Sequence, residues 1–111
     1  MRILLACAAG MSTSLLANNM QKLATERALE VTVEATSTSA LDDATWQRVD
    51  VVLVGPQMRH LLPEISAQGA QYGVPVAAIP PQDYATANAH SVLEQATALV
   101  EQDAFKRDAG L

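Results

Sequence analysis

Apolar residues along this 111-residue chain follow two rhythms that alternate from end to end. Short, nearly continuous runs rich in Val, Ile and Leu are separated by longer stretches in which apolar residues recur every three or four positions. The first rhythm is that of strands buried on both faces, the second that of helices with one apolar side. The strands are predicted at Arg2–Ala6, Val31–Ala35, Asp50–Val54 and Val74–Ile79. The first helix follows Gly10 and carries Leu15, Leu16, Met20, Leu23 and Ala24 inward. A polar stretch, Thr36–Ala40, leads to a short helix over Leu41–Gln47. Gly55-Pro56-Gln57 breaks the third strand, and a helix follows to about Ala70 with Leu61, Leu62, Ile65 and Gln68 or Gly69 inward. The last helix runs from Asn88 to Phe105 with Val92, Leu93, Ala96, Leu99 and Val100 inward. Alternation of this kind predicts parallel βαβ units, an α/β sheet with helices on both faces. The third strand is a continuous apolar run after Asp50 and should be central. Pro75 places the fourth at an edge, since proline gives no N–H to a ladder.

Length sharpens this to one domain over residues 1–105, with a frayed tail over 106–111. Half the residues are apolar and the formal net charge is −5, which argues against an electrostatic grip on nucleic acid or on an anionic bilayer. No run approaches the roughly 20 apolar residues of a membrane span, so direct membrane insertion is not expected. The apolar N-terminus stops at a polar Met-Ser-Thr-Ser segment and resumes at helical spacing, unlike a secretory signal. One cysteine forms no internal disulfide, and a reducing, cytoplasmic setting is the simplest.

Ligands of open parallel sheets bind beyond the carboxyl ends of the strands. There the first turn reads Cys7-Ala8-Ala9-Gly10-Met11-Ser12-Thr13-Ser14. A thiol stands at the strand's end. Small residues let the backbone N–H groups close around a tetrahedral oxyanion, the following helix directs its positive dipole end there, and three hydroxyls add donors. A thiolate is favoured beside a helix N-terminus, so Cys7 is expected to be nucleophilic and, once phosphorylated, held by the same loop. The plain alternative is a cysteine that merely fills space at the end of an apolar strand.

Beyond the loop, Gln57 shares the rim with Cys7, placed either to touch a phosphoryl group or a partner or simply to enter the next helix; Tyr84 is the other rim candidate. Met11 and Met58 offer the rim an apolar surface or fill the core. His60 and His90 have no neighbours at metal spacing, and no metal or cofactor is called for. Asp83 has the position of a leaving-group acid, with a capping or solvated role as the alternative. Trp46 is assigned to packing and Asp42-Asp43 to a helix start.

The block Cys7 to Leu16, with Asp50–Gln57, Leu62-Pro63-Glu64-Ile65 and, more loosely, Tyr84 and Val92-Leu93, resembles the IIB component of the bacterial phosphoenolpyruvate-dependent sugar phosphotransferase system, in its lactose, cellobiose and diacetylchitobiose group. The resemblance spans nearly the whole chain, although family members have glycine where this chain has Ala85. It implies a four-stranded parallel open sheet of the low-molecular-weight tyrosine phosphatase type and a phosphocysteine at Cys7 cradled by Ala8–Ser14. The phosphoryl group would come from a phosphohistidine of a IIA protein. It would leave to a sugar, a disaccharide such as cellobiose, chitobiose or lactose, held by a membrane IIC protein. The loop also resembles that of the low-molecular-weight phosphatases, and a cysteine-dependent phosphatase or arsenate reductase is the alternative. Those phosphatases carry arginine where this chain has Thr13. A guanidinium there would stabilise attack by water, so its absence favours a carrier.

Overall fold

The computed structural model describes residues 1–8 and 11–109. Among them the chain forms strands β1 (Arg2–Cys7), β2 (Thr32–Ser37), β3 (Val51–Val54) and β4 (Val76–Ala78), and helices α1 (Met11–Glu26), α2 (Asp43–Arg48), α3 (Leu62–Ala70), α4 (Pro81–Ala85) and α5 (Ala89–Ala109). All strand pairs are parallel, in the order β2-β1-β3-β4. The third strand is central as expected, with β1 beside it, and the Pro75-flanked β4 lies at an edge.

Because successive side chains of a strand point to opposite faces, β1 feeds two cores. Ile3 and Leu5 join Val51 and Leu53 under Leu16, Ala17, Met20 and Ala24 of α1 and Val92, Leu93 and Ala96 of α5. Leu4 and Ala6 join Val52 and Val54 against Trp46 of α2, Ile65 of α3, Val49 and Val74. Ile3 pairs with Val51, Leu4 with Val52, Leu5 with Leu53 and Ala6 with Val54. The register is held at both ends: Arg2 N–H donates to Asp50 Oδ2 at 2.7 Å, and Gly55 N–H donates to Ala6 O at 2.8 Å.

The second layer has a polar margin. The ring of Trp46 stacks with that of Tyr72, centroids 6.3 Å apart, and the Tyr72 hydroxyl donates to Asp43 Oδ1. That hydrogen bond, with burial added, holds the phenol above its usual value of 10.0. Asp42 caps α2 by accepting from Thr45 N–H at 2.9 Å; this bond, and a second from the Thr45 hydroxyl, hold its carboxyl below 3.8. Gly69 lets α3 lie close to the sheet, since a Cβ there would stand 2.7 Å from Val74 O and 3.0 Å from Trp46.

Several sequence expectations shift. Leu15 is 59% exposed instead of inward; at 3.6 residues per turn it lies about 180° around the helix from the buried Ala24, and the small Ala17 takes the inward place. The segment after β3 begins as a 3₁₀ turn, Pro56–Leu61, and becomes α-helical only at Leu62. Residues 81–85, which lie between the predicted fourth strand and last helix, form α4. β2 starts and ends later, and α5 continues to Ala109, so residues 106–109 are helical backbone; 110 and 111 lie outside the described residues.

Candidate active site

Cys7 closes β1 at the carboxyl end of the sheet and is 4% exposed. Its neighbour in the sheet is the end of β3, where the chain turns at Gly55. The φ of Gly55 is −59°, which any residue adopts, so glycine is needed there for space and not for conformation. A Cβ at Gly55 would lie 3.2 Å from Cys7 Sγ and 3.2 Å from Gln57 Oε1. Without it, Pro56 starts the 3₁₀ turn and the exposed Gln57 folds back over the thiol. The Cys7 S–H donates to Gln57 Oε1 at 3.8 Å, a length suited to sulfur, a large and weak donor.

A third segment arrives from β4. Ile79 N–H donates to Val54 O at 2.8 Å, bringing the chain over the end of β3, and Pro80-Pro81 starts α4. The half-buried Tyr84 packs on the core of α1 and α5 and sets its hydroxyl 3.8 Å from Cys7 Sγ. The rim pair read from the sequence, Gln57 and Tyr84, thus converges on one sulfur from opposite layers. The sequence reading took Gly55 only as a strand break. Its signal was a Gly-Pro pair beside the strand that ends in the cysteine.

Asp83, weighed as a leaving-group acid, accepts from Ser91 Oγ at 2.8 Å, and its carbonyl accepts from Asn88 N–H at 2.8 Å. These bonds tie α4 to α5. His90 stands between Arg27 (2.6 Å) and Glu94 (3.1 Å) at the exposed joint of α1 and α5. Met58 packs against the second core.

In the loop itself, Ala8 is exposed and Ser14 is exposed at the start of α1, whereas Thr13 is wholly buried. Ala9 and Gly10 lie outside the described residues, as do the side chains of Met11 and Ser12. The first turn of α1 opens close in sequence to the thiol and carries no acidic residue, so the positive end of its dipole favours an anion there. The arrangement combines a thiol, a helix N-terminus and two neutral hydrogen-bonding side chains.

Comparison with known proteins places the chain in a family. Residues 2–95 match the family described as the lactose/cellobiose-specific IIB subunit of the phosphotransferase system. The galactose-specific EIIB component of Lactococcus lactis subsp. cremoris is 39% identical over 102 residues, covering 88% of this chain and 94% of that protein. The cellobiose-specific EIIB component of Lactococcus lactis subsp. lactis is 38% identical with the same coverage, and the oligo-β-mannoside-specific EIIB component of Bacillus subtilis is 35% identical over 99 residues, covering 89% and 95%. In three dimensions the cellobiose-specific IIB protein of Borrelia burgdorferi superposes with a TM-score of 0.77 at 35% identity, covering 93% and 94% of the two chains. The lactose-specific IIB domain of Streptococcus pneumoniae, at 17% identity, shares the fold with a TM-score of 0.75 over 89% and 96%. The fold is the one IIB domains have in common with low-molecular-weight phosphatases. The chain belongs to the lactose/cellobiose-specific IIB family of the sugar phosphotransferase system and is a phosphotransferase subunit.

Proposed function

We propose that Cys7 is the phosphoryl acceptor and donor of this subunit. The carrying observation is its placement: the sulfur ends β1 ahead of the α1 N-terminus, flanked by Gln57 and Tyr84. The position six residues on, arginine in the related phosphatases, is a buried threonine, Thr13. In the loading step the sulfur attacks the phosphorus of a IIA phosphohistidine. The S–P bond forms as the N–P bond breaks, and the imidazole nitrogen ends with the thiol's proton. In the delivery step a sugar hydroxyl held by the IIC protein attacks, the O–P bond forms, the S–P bond breaks, and sulfur regains a proton. The phosphoryl group carries a charge of about −1.5 to −2. The N–H groups from Ala8 to Ser14 and the α1 dipole bear it, because orientation and charge stabilisation supply most of the catalysis in phosphoryl transfer. With Thr13 in place of a guanidinium, water gains no bidentate stabilisation, and the group survives until it meets its acceptor.

The relatives are named for galactose, cellobiose and oligo-β-mannoside, and a sugar of that class is the acceptor. Among the described residues no helix is long and apolar enough to cross a membrane; the protein works from the cytoplasm with IIA and IIC as partners. Incubation with phosphorylated IIA, followed by intact-mass and peptide analysis, tests the reading. One phosphoryl group on Cys7, absent from Cys7→Ser, is expected; an unmodified wild-type protein, or the same gain in Cys7→Ser, refutes it.

A further inference from the structure

Gln57 and Tyr84 both meet Cys7 Sγ at 3.8 Å, yet they offer it different chemistry. A phenolic hydroxyl donates and accepts through one oxygen, so it serves either partner by rotating a hydrogen. A glutamine amide keeps its acceptor and its two donors on different atoms, and changing role requires a half-turn of the amide. The free thiol brings a hydrogen to the site, and Gln57 presents Oε1 to it. A phosphorylated sulfur has no hydrogen and is surrounded by oxygens that only accept. Left in place, Oε1 would face those oxygens, acceptor against acceptor.

We propose that the Gln57 amide inverts when Cys7 is phosphorylated, presenting Nε2 to a phosphoryl oxygen, so that Gln57 is a catalytic residue stabilising the phosphocysteine. This rests on Cys7 being the phosphoryl site. Three features of the structure favour it. Gly55 leaves the space that brings the amide to the sulfur. Gln57 is exposed at the head of a 3₁₀ turn, so its amide turns without disturbing the core. Its donor is neutral: it offsets the charge of a bound phosphoryl group without the two-pronged cationic contact that favours attack by water. Glutamate would accept from the thiol equally well but has no hydrogen to give the phosphoryl group, and its charge would oppose it. Leucine would do neither.

The test uses the full chain and phosphorylated IIA. Wild-type phosphorylation of Cys7 is established first by mass; without it, the phosphoryl-site reading fails and this inference falls with it. With it, the equilibrium share of phosphocysteine against phospho-IIA is measured for Gln57→Glu and Gln57→Leu, beside the thermal unfolding of their thiol forms. Loss of a charge-assisted hydrogen bond lowers that share about tenfold in Gln57→Leu and about 100-fold in Gln57→Glu, with unfolding temperatures unchanged. The Gln57 side-chain amide signals in a ¹⁵N–¹H spectrum of the wild type move on phosphorylation while the thiol-form signals match an acceptor-bound amide turned outward. Wild-type shares in both variants, or amide signals unmoved by phosphorylation, overturn the inference. If one variant fails to fold, the other and the wild-type spectrum decide.

Discussion

The two layers that enclose the sheet bury similar strands with different means. On one side the 16-residue α1 and 21-residue α5 lay an aliphatic surface over Ile3, Leu5, Val51 and Leu53. On the other, the 6-residue α2 and 9-residue α3 cover Leu4, Ala6, Val52 and Val54. Short helices bring few side chains to a core, and the deficit is met by a large one, Trp46, and by close approach at Gly69. The long-helix layer spreads its energy over many aliphatic contacts; the short-helix layer concentrates it. The site draws on both, with Tyr84 resting on the first core and the 3₁₀ turn of Gln57 leading into the second.

The contrast is most easily broken at Trp46. Trp46→Ala should cost about 3–5 kcal/mol, measured by urea denaturation, and Leu53→Ala in the other layer about 2–4 kcal/mol, because its many aliphatic neighbours relax into the space. A reversed order would show that the short-helix layer does not concentrate its stability. A methyl added at Gly69 meets backbone, so Gly69→Ala should cost about 1–3 kcal/mol. Gly55→Ala should leave stability within about 1 kcal/mol but slow phosphoryl transfer from IIA about tenfold, since it displaces the sulfur and the amide together. Equal behaviour of the two glycine variants in both assays would remove the distinction between a packing glycine and a site glycine. The smallest effect concerns alkali. The folded state raises the Tyr72 phenol above 10.0, so its contribution is complete below the unfolded value near pH 10 and is lost as pH rises through the higher folded value. Tyr72→Phe should flatten stability above pH 10, and phenol absorbance should report the raised titration.

What the sequence made legible follows the same division. The strand-turn-helix unit around Cys7 was plain because hydrophobic period, small residues and hydroxyls all lie within a few residues of one another. The edge position of β4 followed from Pro75, whereas Asp42-Asp43 was legible only as charge at a helix start, and the capping bond from Thr45 N–H was not. The misplacement of Leu15 came from weighting side-chain size over angle, when Leu16, Met20 and Ala24 already define the buried side. α4 escaped notice because five residues give no period to read. The Trp46–Tyr72–Asp43 linkage and the 3.8 Å approach of Gln57 join residues far apart in the chain, and depend on two glycines whose value lies in what they leave vacant.

The pairing of β1 with β3 has one more consequence. A shift of one residue would turn every side chain of β1 to the wrong core and is forbidden by hydrophobicity alone. A shift of two would keep each on its own side, but it would bring the charged Arg2 level with the buried Val52 or carry Ile3 and Leu4 past the apolar run of β3. It would also carry the sulfur about 6.6 Å along the strand, beyond reach of both Gln57 and Tyr84. A polar contact adds to that penalty: the Asp50 carboxylate accepts from the N–H of Arg2, at the very start of β1. The charged ends of β1 and β3, Arg2 and Asp50, therefore act as the gauge that sets the reach of the nucleophile.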